Sequence, residues 1–159
     1  MSEVERKSAM KEIASYVNCI DLDFPVIIDE IPSGDEQSFY QFCKYDDNGP
    51  IIGGFLTDSP HVSPTELGIS AQFSNEVFDQ SFFRQKVEVK LKRPPQSSCI
   101  RSTAKSVNDK WSLKTQKKTK SGKDIYKKVK TKGGGSQIHV MGADWKNNIE
   151  IKQIDIIVL

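Results

Sequence analysis

The sequence predicts one mostly-β domain spanning residues 1–159, with a short N-terminal helix and a basic β-hairpin arm. Most apolar residues alternate with polar ones along short segments, and turns rich in glycine and proline separate these segments. Only the first 18 residues show a helical period. A chain of 159 residues is long enough for one hydrophobic core.

The N-terminal helix is predicted over residues 1–18. Four apolar residues recur at the spacing that places them on one helical face: Met10, Ile13, Ala14 and Val17. Ser2 is the expected N-cap, with Glu5 three residues later. This face is expected to pack on the β structure.

The strands are predicted from alternation and from turn residues. The clearest signal is a hairpin within residues 38–58, whose strands flank the turn from Asp46 to Gly49. The other predicted segments are a strand after Pro25, a strand at 67–74, a short helical or turn segment at 75–83, a strand at 87–93, and closing strands at 137–142 and 149–159. A slip in the apolar phase predicts a β-bulge at Gln153.

Positive charge is concentrated between Arg84 and Lys132. This stretch holds 17 Lys and Arg against three acids, a net charge of +14, whereas the whole chain carries only +2. Residues 94–132 are predicted as a basic loop followed by an arm, in which residues 110–132 form a second hairpin or remain disordered. Dense basic charge interleaved with aromatic residues is typical of a polyanion-binding surface.

Cysteine and glycine usage adds two further expectations. Cys19, Cys43 and Cys99 are an odd number without a CxxC pair, which disfavours a disulfide framework or a zinc site and favours a reducing, intracellular compartment. Neither a signal peptide nor a membrane-spanning segment is indicated. The run from Gly133 to Ser136 has two interpretations, an engineered linker or a native tight turn.

Residues 110–159 resemble the end of the OB-fold in single-stranded-DNA-binding proteins of phages and large DNA viruses. The resemblance rests on a lysine-rich stretch, the glycine turn ending in Ser136, the strand from Gln137, and Trp145 followed by Asn147. It implies a five-stranded OB-type barrel with extra strands, in which residues 75–83 supply the barrel helix. It also implies a viral protein acting at replication sites in the host cytoplasm or nucleus. The acidic C-terminal tail of that family is not present in this sequence.

The function predicted from these features is sequence-independent binding of single-stranded nucleic acid, DNA or RNA, in replication, recombination or repair. Lysines supply phosphate contacts, and aromatic rings supply stacking platforms for bases. The predicted phosphate-binding residues are Lys44, Lys90, Lys92, Arg93, Lys114, Lys117, Lys118, Lys120, Lys123, Lys127, Lys128 and Lys130, and the predicted stacking residues are Tyr40, Phe42, Trp111 and Tyr126. The alternatives are a solvated lysine face and aromatic side chains that line the core.

The sequence gives little support for an enzyme, and no cofactor or metal is expected. His61 and His139 lack a metal-ligand spacing, Asp21 and Asp23 have no supporting carboxylates, and no catalytic motif is present. A second hypothesis is a β-rich protein-interaction module of a larger assembly, whose basic arm contacts an acidic partner. Self-association and contacts with replication proteins are further expectations.

Overall fold

The computed structural model describes residues 3–29, 38–75, 80–91, 99–141, 143–147 and 149–154. In these residues one α-helix, α1, spans Glu3–Ser15, and short 3₁₀ turns span Val17–Cys19, Thr65–Leu67 and Ala143–Asn147. The strands are β1 (Ile27–Asp29), β2 (Phe39–Asp46), β3 (Gly49–Ile51), β4 (Phe55–Leu56), β5 (Gln72–Asn75), β6 (Gln80–Phe83), β7 (Gln85–Leu91), β8 (Cys99–Thr103), β9 (Asn108–Asp109), β10 (Lys114–Lys118), β11 (Asp124–Tyr126), β12 (Val129–Lys130), β13 (Ser136–Val140) and β14 (Ile149–Gln153). The predicted mostly-β class with a short N-terminal helix is confirmed.

Two four-stranded sheets form the body of the fold. Their strand orders are β1-β8-β13-β4 and β14-β7-β2-β3. Tyr40 of β2 and Thr57, next to β4, exchange backbone hydrogen bonds of 2.7 and 2.9 Å. This pairing continues one sheet into the other, so that together they curl into a half-barrel.

The main core fills the concave side of the half-barrel. In β7 the side chains of Val87, Val89 and Leu91 are buried while their neighbours are half-buried, which is the pattern expected from alternation along a strand. Phe39 from β2 packs into the same cluster. Trp145 also belongs to this cluster.

The helix α1 packs on the face of the β1-β8-β13-β4 sheet that is opposite to the main core. The side of the helix that meets the sheet differs from the one predicted. Ala9 is fully buried against Ile100 and Met141, and Ile13 packs beside them, whereas Met10 is 57% exposed. The small side chain of Ala9 allows a close approach to the sheet that the bulkier Met10 does not. The expected cap Ser2 lies outside the described residues.

Both predicted hairpins are present. In the first, β2 and β3 are antiparallel, with Lys44 opposite Ile51 and Asp46 opposite Gly49. In the second, β10 pairs with β11, and the connecting turn is closed by a hydrogen bond from the Gly122 N–H to the Thr119 carbonyl. The base of this hairpin is attached to the body, because the Lys114 N–H donates to Ser74 Oγ at 2.9 Å. Of the two alternatives for the arm, the structure therefore shows the hairpin.

Three local predictions are wrong in the described part of the chain. The predicted basic loop at 94–109 contains strand β8, which pairs with β1 and β13, and strand β9, which pairs with β12. The segment at 75–83, predicted as helical or as a turn, contains strand β6, which pairs with β5, while residues 76–79 lie outside the description. No bulge occurs at Gln153, because β14 pairs with β7 in unbroken register from Ile149 to Gln153. In each case pairing with a neighbouring strand, which the local pattern does not report, decides the conformation.

The glycine run from 133 to 135 is required by close backbone packing. A Cβ atom on Gly133 would lie 2.4 Å from the Ser106 nitrogen, and one on Gly135 would lie 2.8 Å from the Glu66 carbonyl oxygen. Gly133 and Gly134 also adopt positive φ angles of 69° and 90°. These contacts favour the interpretation of this run as a structural turn rather than as a flexible linker.

Candidate functional site

An apolar cavity of about 130 Å³ opens beside the main core. It is lined by side chains from β2, β4, the 3₁₀ turn at 65–67 and the segment before β9. The lining includes Gln41, Phe55, Leu56, Leu67, Ile69, Val107, Trp111 and Gln137. Such a lining, mostly apolar with a few amides, suits a small flat ring that carries a polar substituent.

Gln41 is held rigidly in the wall of this cavity. Its Nε2 donates to the carbonyls of Phe55 and Gly53 at 2.5 and 3.1 Å, and its Oε1 accepts the Gly53 N–H at 2.8 Å. The buried thiol of Cys43 donates to the same Oε1 at 3.1 Å. Burial raises the pKa of this thiol to about 12, so it stays protonated at neutral pH.

A polar groove lies next to the cavity, between the hairpins β5-β6 and β10-β11. It has a near part of about 330 Å³ and a far part of about 770 Å³, which share Ser74, Asn75 and Lys114. The near part is also lined by Lys44, Tyr45, Asp46, Ile51, Phe73, Trp111, Ser112 and Tyr126, and the far part by Gln80, Ser81, Thr115, Gln116, Lys118 and Asp124. Trp111 lines both the cavity and the near part, so the two spaces adjoin at its side chain.

A buried polar network positions Trp111. Asp109 is only 1% exposed, and its carboxylate accepts hydrogen bonds from the N–H groups of Trp111 at 2.8 Å and Ser70 at 2.7 Å and from Ser112 Oγ at 2.5 Å. Arg84 donates from Nη2 to Ser112 Oγ at 2.6 Å and from Nε to the Ser70 carbonyl at 2.8 Å. Burial lowers the pKa of Arg84, and the Asp109 charge opposes that shift.

The structure brings five of the predicted site residues together along the polar groove. Lys44, Trp111, Lys114, Lys118 and Tyr126 all line it. The Nζ of Lys44 donates to the Trp111 carbonyl at 3.0 Å, which ties β2 to the loop that carries the indole. The predicted mixture of lysine and aromatic side chains therefore exists, although on a smaller surface than predicted.

The other predicted site residues lie outside the polar groove. Phe42 lines the apolar cavity instead. Lys86 Nζ lies 5.2 Å from the ring centroid of Tyr40 and 5.8 Å from that of Phe42, so these two rings do not form the predicted open stacking platform. Lys90 lies on β7, 3.8 Å from Glu88. The remaining arm residues are exposed and do not line the groove, namely Lys117, Lys120, Lys123, Lys127, Lys128 and Lys130, while Lys92 and Arg93 lie outside the described residues.

Several residues of the site were not predicted from sequence, among them Gln41, Arg84 and Asp109. One signal was available for Asp109, which is one of only three acids in the basic stretch. A carboxylate retained among so many lysines is more informative than any single lysine. Gln41 and Arg84 gave no such signal, because their partners lie far away in sequence.

Histidine and cysteine do not form a metal centre in the part of the chain described here. No group of three or more His, Cys, Asp or Glu residues is arranged to hold a metal ion within it. His139 instead packs against the rings of Tyr16 and Phe55 and lies 3.2 Å from Glu12 through Nε2. Over the same residues, no helix is both long and apolar enough to cross a membrane.

The fold and site together define a mostly-β domain with an apolar cavity that continues into a groove of lysine and aromatic side chains. Residues 5–133 match the family model for bacterial toxin 46, Ntox46, so the chain belongs to that toxin family. It is 33% identical over 110 residues to the NAD(P)(+) glycohydrolase toxin Tse6 of Pseudomonas aeruginosa, a match that covers 64% of this chain and 22% of that protein. The chain thus corresponds to about a fifth of the curated relative.

A solved structure shows the same fold. The structure of Tse6 in complex with Tsi6 superposes on this chain with a TM-score of 0.61 at 22% identity, covering 93% of this chain and 90% of that one. In that structure the toxin is accompanied by a second protein, Tsi6.

These comparisons correct five predictions. The resemblance to OB-fold single-stranded-DNA-binding proteins is wrong, because the family match places the chain among bacterial toxins. Single-stranded nucleic-acid binding and a role in viral replication are wrong for the same reason, and the interaction-module alternative gains no support. The expectation of a non-enzyme is overturned by the similarity to a glycohydrolase. The expected nucleic-acid partner is not supported, since the matched structure contains a protein partner. A short lysine-rich stretch with a glycine turn does not distinguish these families.

Proposed function

We propose that this chain is a toxin domain that hydrolyses the nicotinamide–ribose bond of NAD+ or NADP+. The similarity to a relative named as an NAD(P)+ glycohydrolase toxin supports the reaction class. The observation that carries the proposal is the junction at Trp111 between the apolar cavity and the polar groove. A dinucleotide has the matching order of groups, a flat pyridinium ring that leaves as neutral nicotinamide, followed by charged phosphates and a second base.

The nicotinamide end fits the cavity. Its ring is flat and carries the positive charge of a pyridinium in the substrate, and Trp111 and Phe55 offer aromatic faces that attract a flat cation, with Ile69 beside them. The pyrophosphate then lies in the near part of the groove, where Lys44 and Lys114 supply positive charge. Tyr126, in the same part, is placed to stack against a base.

The chemistry requires a group that stabilises positive charge on the ribose. When the bond between nicotinamide N1 and ribose C1′ breaks, its electron pair leaves with nicotinamide and the ribose acquires oxocarbenium character, as in glycoside hydrolysis. Water then adds to C1′ and releases a proton. Among the residues that the structure describes, Asp46 and Asp124 are the carboxylates that line the groove, and Asp124 is engaged by Lys114 and Lys118.

Asp46 is therefore assigned to ribose stabilisation. It lines the near part of the groove, as Trp111 does, and its Oδ1 is fixed by the Asn48 N–H at 2.8 Å. A carboxylate fixed in this way stabilises developing positive charge without having to reorient.

The test is release of nicotinamide from NAD+ and NADP+ by the purified chain, followed by liquid chromatography. Trp111→Ala is expected to lower kcat/KM by roughly tenfold or more, because aromatic stacking contributes about 1–3 kcal/mol. Asp46→Asn is expected to lower kcat with little change in KM. The matched control is Phe83→Ala. Phe83 is an aromatic residue as exposed as Trp111, at 57% against 55%, but it lines neither the apolar cavity nor the polar groove.

The outcomes separate clearly. No nicotinamide release from either dinucleotide by the wild-type chain would show that the reaction is wrong. Activity that responds equally to Trp111→Ala and Phe83→Ala would show that the reaction takes place away from the cavity and groove.

A further inference from the structure

The far part of the polar groove has the features of a phosphate site at the adenosine end of the substrate. We infer that it recognises a 2′-phosphate on that ribose, so that the chain cleaves NADP+ in preference to NAD+. This inference rests on the proposed function. It adds a specificity that the reaction class alone does not contain.

The order of spaces along the site places the adenosine end there. The cavity and the near part share Trp111, and the near and far parts share Lys114, whereas Lys118 lines only the far part. A dinucleotide with its nicotinamide in the cavity therefore extends past Lys114 towards Lys118. The 2′-phosphate is the one group that distinguishes the two dinucleotides, and it lies at that end.

The charges at the far part suit a phosphate better than a hydroxyl group. Asp124 is shared by two ammonium groups, with Oδ2 at 3.4 Å from Lys114 Nζ and Oδ1 at 3.7 Å from Lys118 Nζ. These three side chains carry a net charge of +1. A phosphate monoester carries close to two negative charges at neutral pH, and each ammonium group can donate to its oxygens.

Asp124 can give way to such a phosphate at small cost. The side chains of Asp124 and Lys118 are 38% and 64% exposed, and ion pairs at such exposed positions contribute little to stability. The carboxylate thus bridges the two ammonium groups, and the ligand phosphate takes its place. The neutral side chains of Gln80 and Ser81 face the same space and add no competing charge.

The experiment uses two probes that lack nicotinamide, adenosine 2′,5′-bisphosphate and adenosine 5′-monophosphate, with binding measured by calorimetry. The wild-type chain is expected to bind the bisphosphate about tenfold more tightly, the effect of one charged hydrogen bond. Lys118→Ala is expected to remove most of this difference. Asp124→Asn is expected to increase it, because the competing carboxylate is gone, and a merely structural role for Asp124 would not produce that result.

Lys128→Ala is the matched control, since Lys128 is an exposed lysine of the same arm that does not line the groove. Equal binding of the two probes by the wild-type chain would overturn the inference, as would equal losses in Lys118→Ala and Lys128→Ala. The ratio of kcat/KM for NADP+ and NAD+ is expected to follow the binding ratio across the variants. If neither dinucleotide is cleaved while the bisphosphate preference depends on Lys118, the proposed reaction is wrong and the phosphate site stands.

Discussion

Replacement of Asp109 is the most direct test of the network beneath the site. Asp109→Ala removes the acceptor of three hydrogen bonds, from the backbone of Ser70 and Trp111 and from the side chain of Ser112. It also removes the carboxylate whose charge offsets the burial of Arg84. The network joins three segments: Ser70 just before β5, Arg84 between β6 and β7, and the loop that carries Trp111. Its loss therefore loosens the site as well as the fold.

The expected size of the effect follows from the burial of the network. Asp109→Ala leaves three donors without an acceptor, at about 1–3 kcal/mol for each buried donor, and Arg84 loses the carboxylate that it reaches through Ser112, so the total loss is about 3–5 kcal/mol. With a denaturant slope of about 2 kcal/mol per molar urea, typical of a small domain, the midpoint of unfolding falls by roughly 2 M. An exposed carboxylate gives a much smaller effect, about 0–1 kcal/mol.

Urea unfolding followed by tryptophan fluorescence measures this loss. Asp58→Asn is the control, because Asp58 makes a partly exposed ion pair with Arg101 at 3.2 Å. In the double variant Asp109→Ala with Arg84→Met, the combined loss is expected to be smaller than the sum of the single losses by about 1–3 kcal/mol. A loss below 1 kcal/mol for Asp109→Ala, or strict additivity with Arg84→Met, would refute this account of the network.

Two further predictions concern the glycine turn and the thiols. Gly134→Ala is expected to lower the free energy of unfolding by about 1–2 kcal/mol, the cost of left-handed backbone strain. Gly133→Ala is expected to lower it by more, because Gly133, unlike Gly134, also has backbone atoms within 3.0 Å of the new Cβ. Thermal unfolding of both variants measures the difference, and equal losses would contradict it. Cys43 is expected to resist a thiol reagent in the folded chain at pH 8, whereas the less buried Cys19 reacts, as mass spectrometry of the labelled chain would show. Rapid labelling of both thiols at pH 8 would contradict the burial of Cys43. Because the folded-state pKa of Cys43 lies above its ordinary value of 9.0, the shift contributes stability below pH 9 that is lost as the pH rises towards 12.

The two candidate spaces also explain why lysine content was a poor guide to function. Most arm lysines are exposed and do not line the groove, so they contribute charge without forming a site. Lys44, Lys114 and Lys118 matter because the fold places them beside Trp111 and Tyr126. Residue type predicted the chemistry of these side chains, but not which of them meet.

Local pattern was sufficient wherever the cause of a structure is local. Alternation in β2 and β7, the turn at Asp46, and the flanks of the basic hairpin all depend on residues within a few positions of each other, and these elements are present as predicted. The sequence by itself therefore determined the mostly-β class and most of its strands.

Tertiary contacts decided the rest. The buried side of α1 depends on the sheet surface that receives Ala9, and the strand at 80–83 depends on pairing with β5. The functional site depends on contacts between distant segments, since Asp109 reaches Ser70 across 39 positions and Lys44 reaches Trp111 across 67. A single sequence carries no local signal for such pairs, because the free energy that selects them comes from burial and hydrogen bonding between segments that meet only in the folded chain.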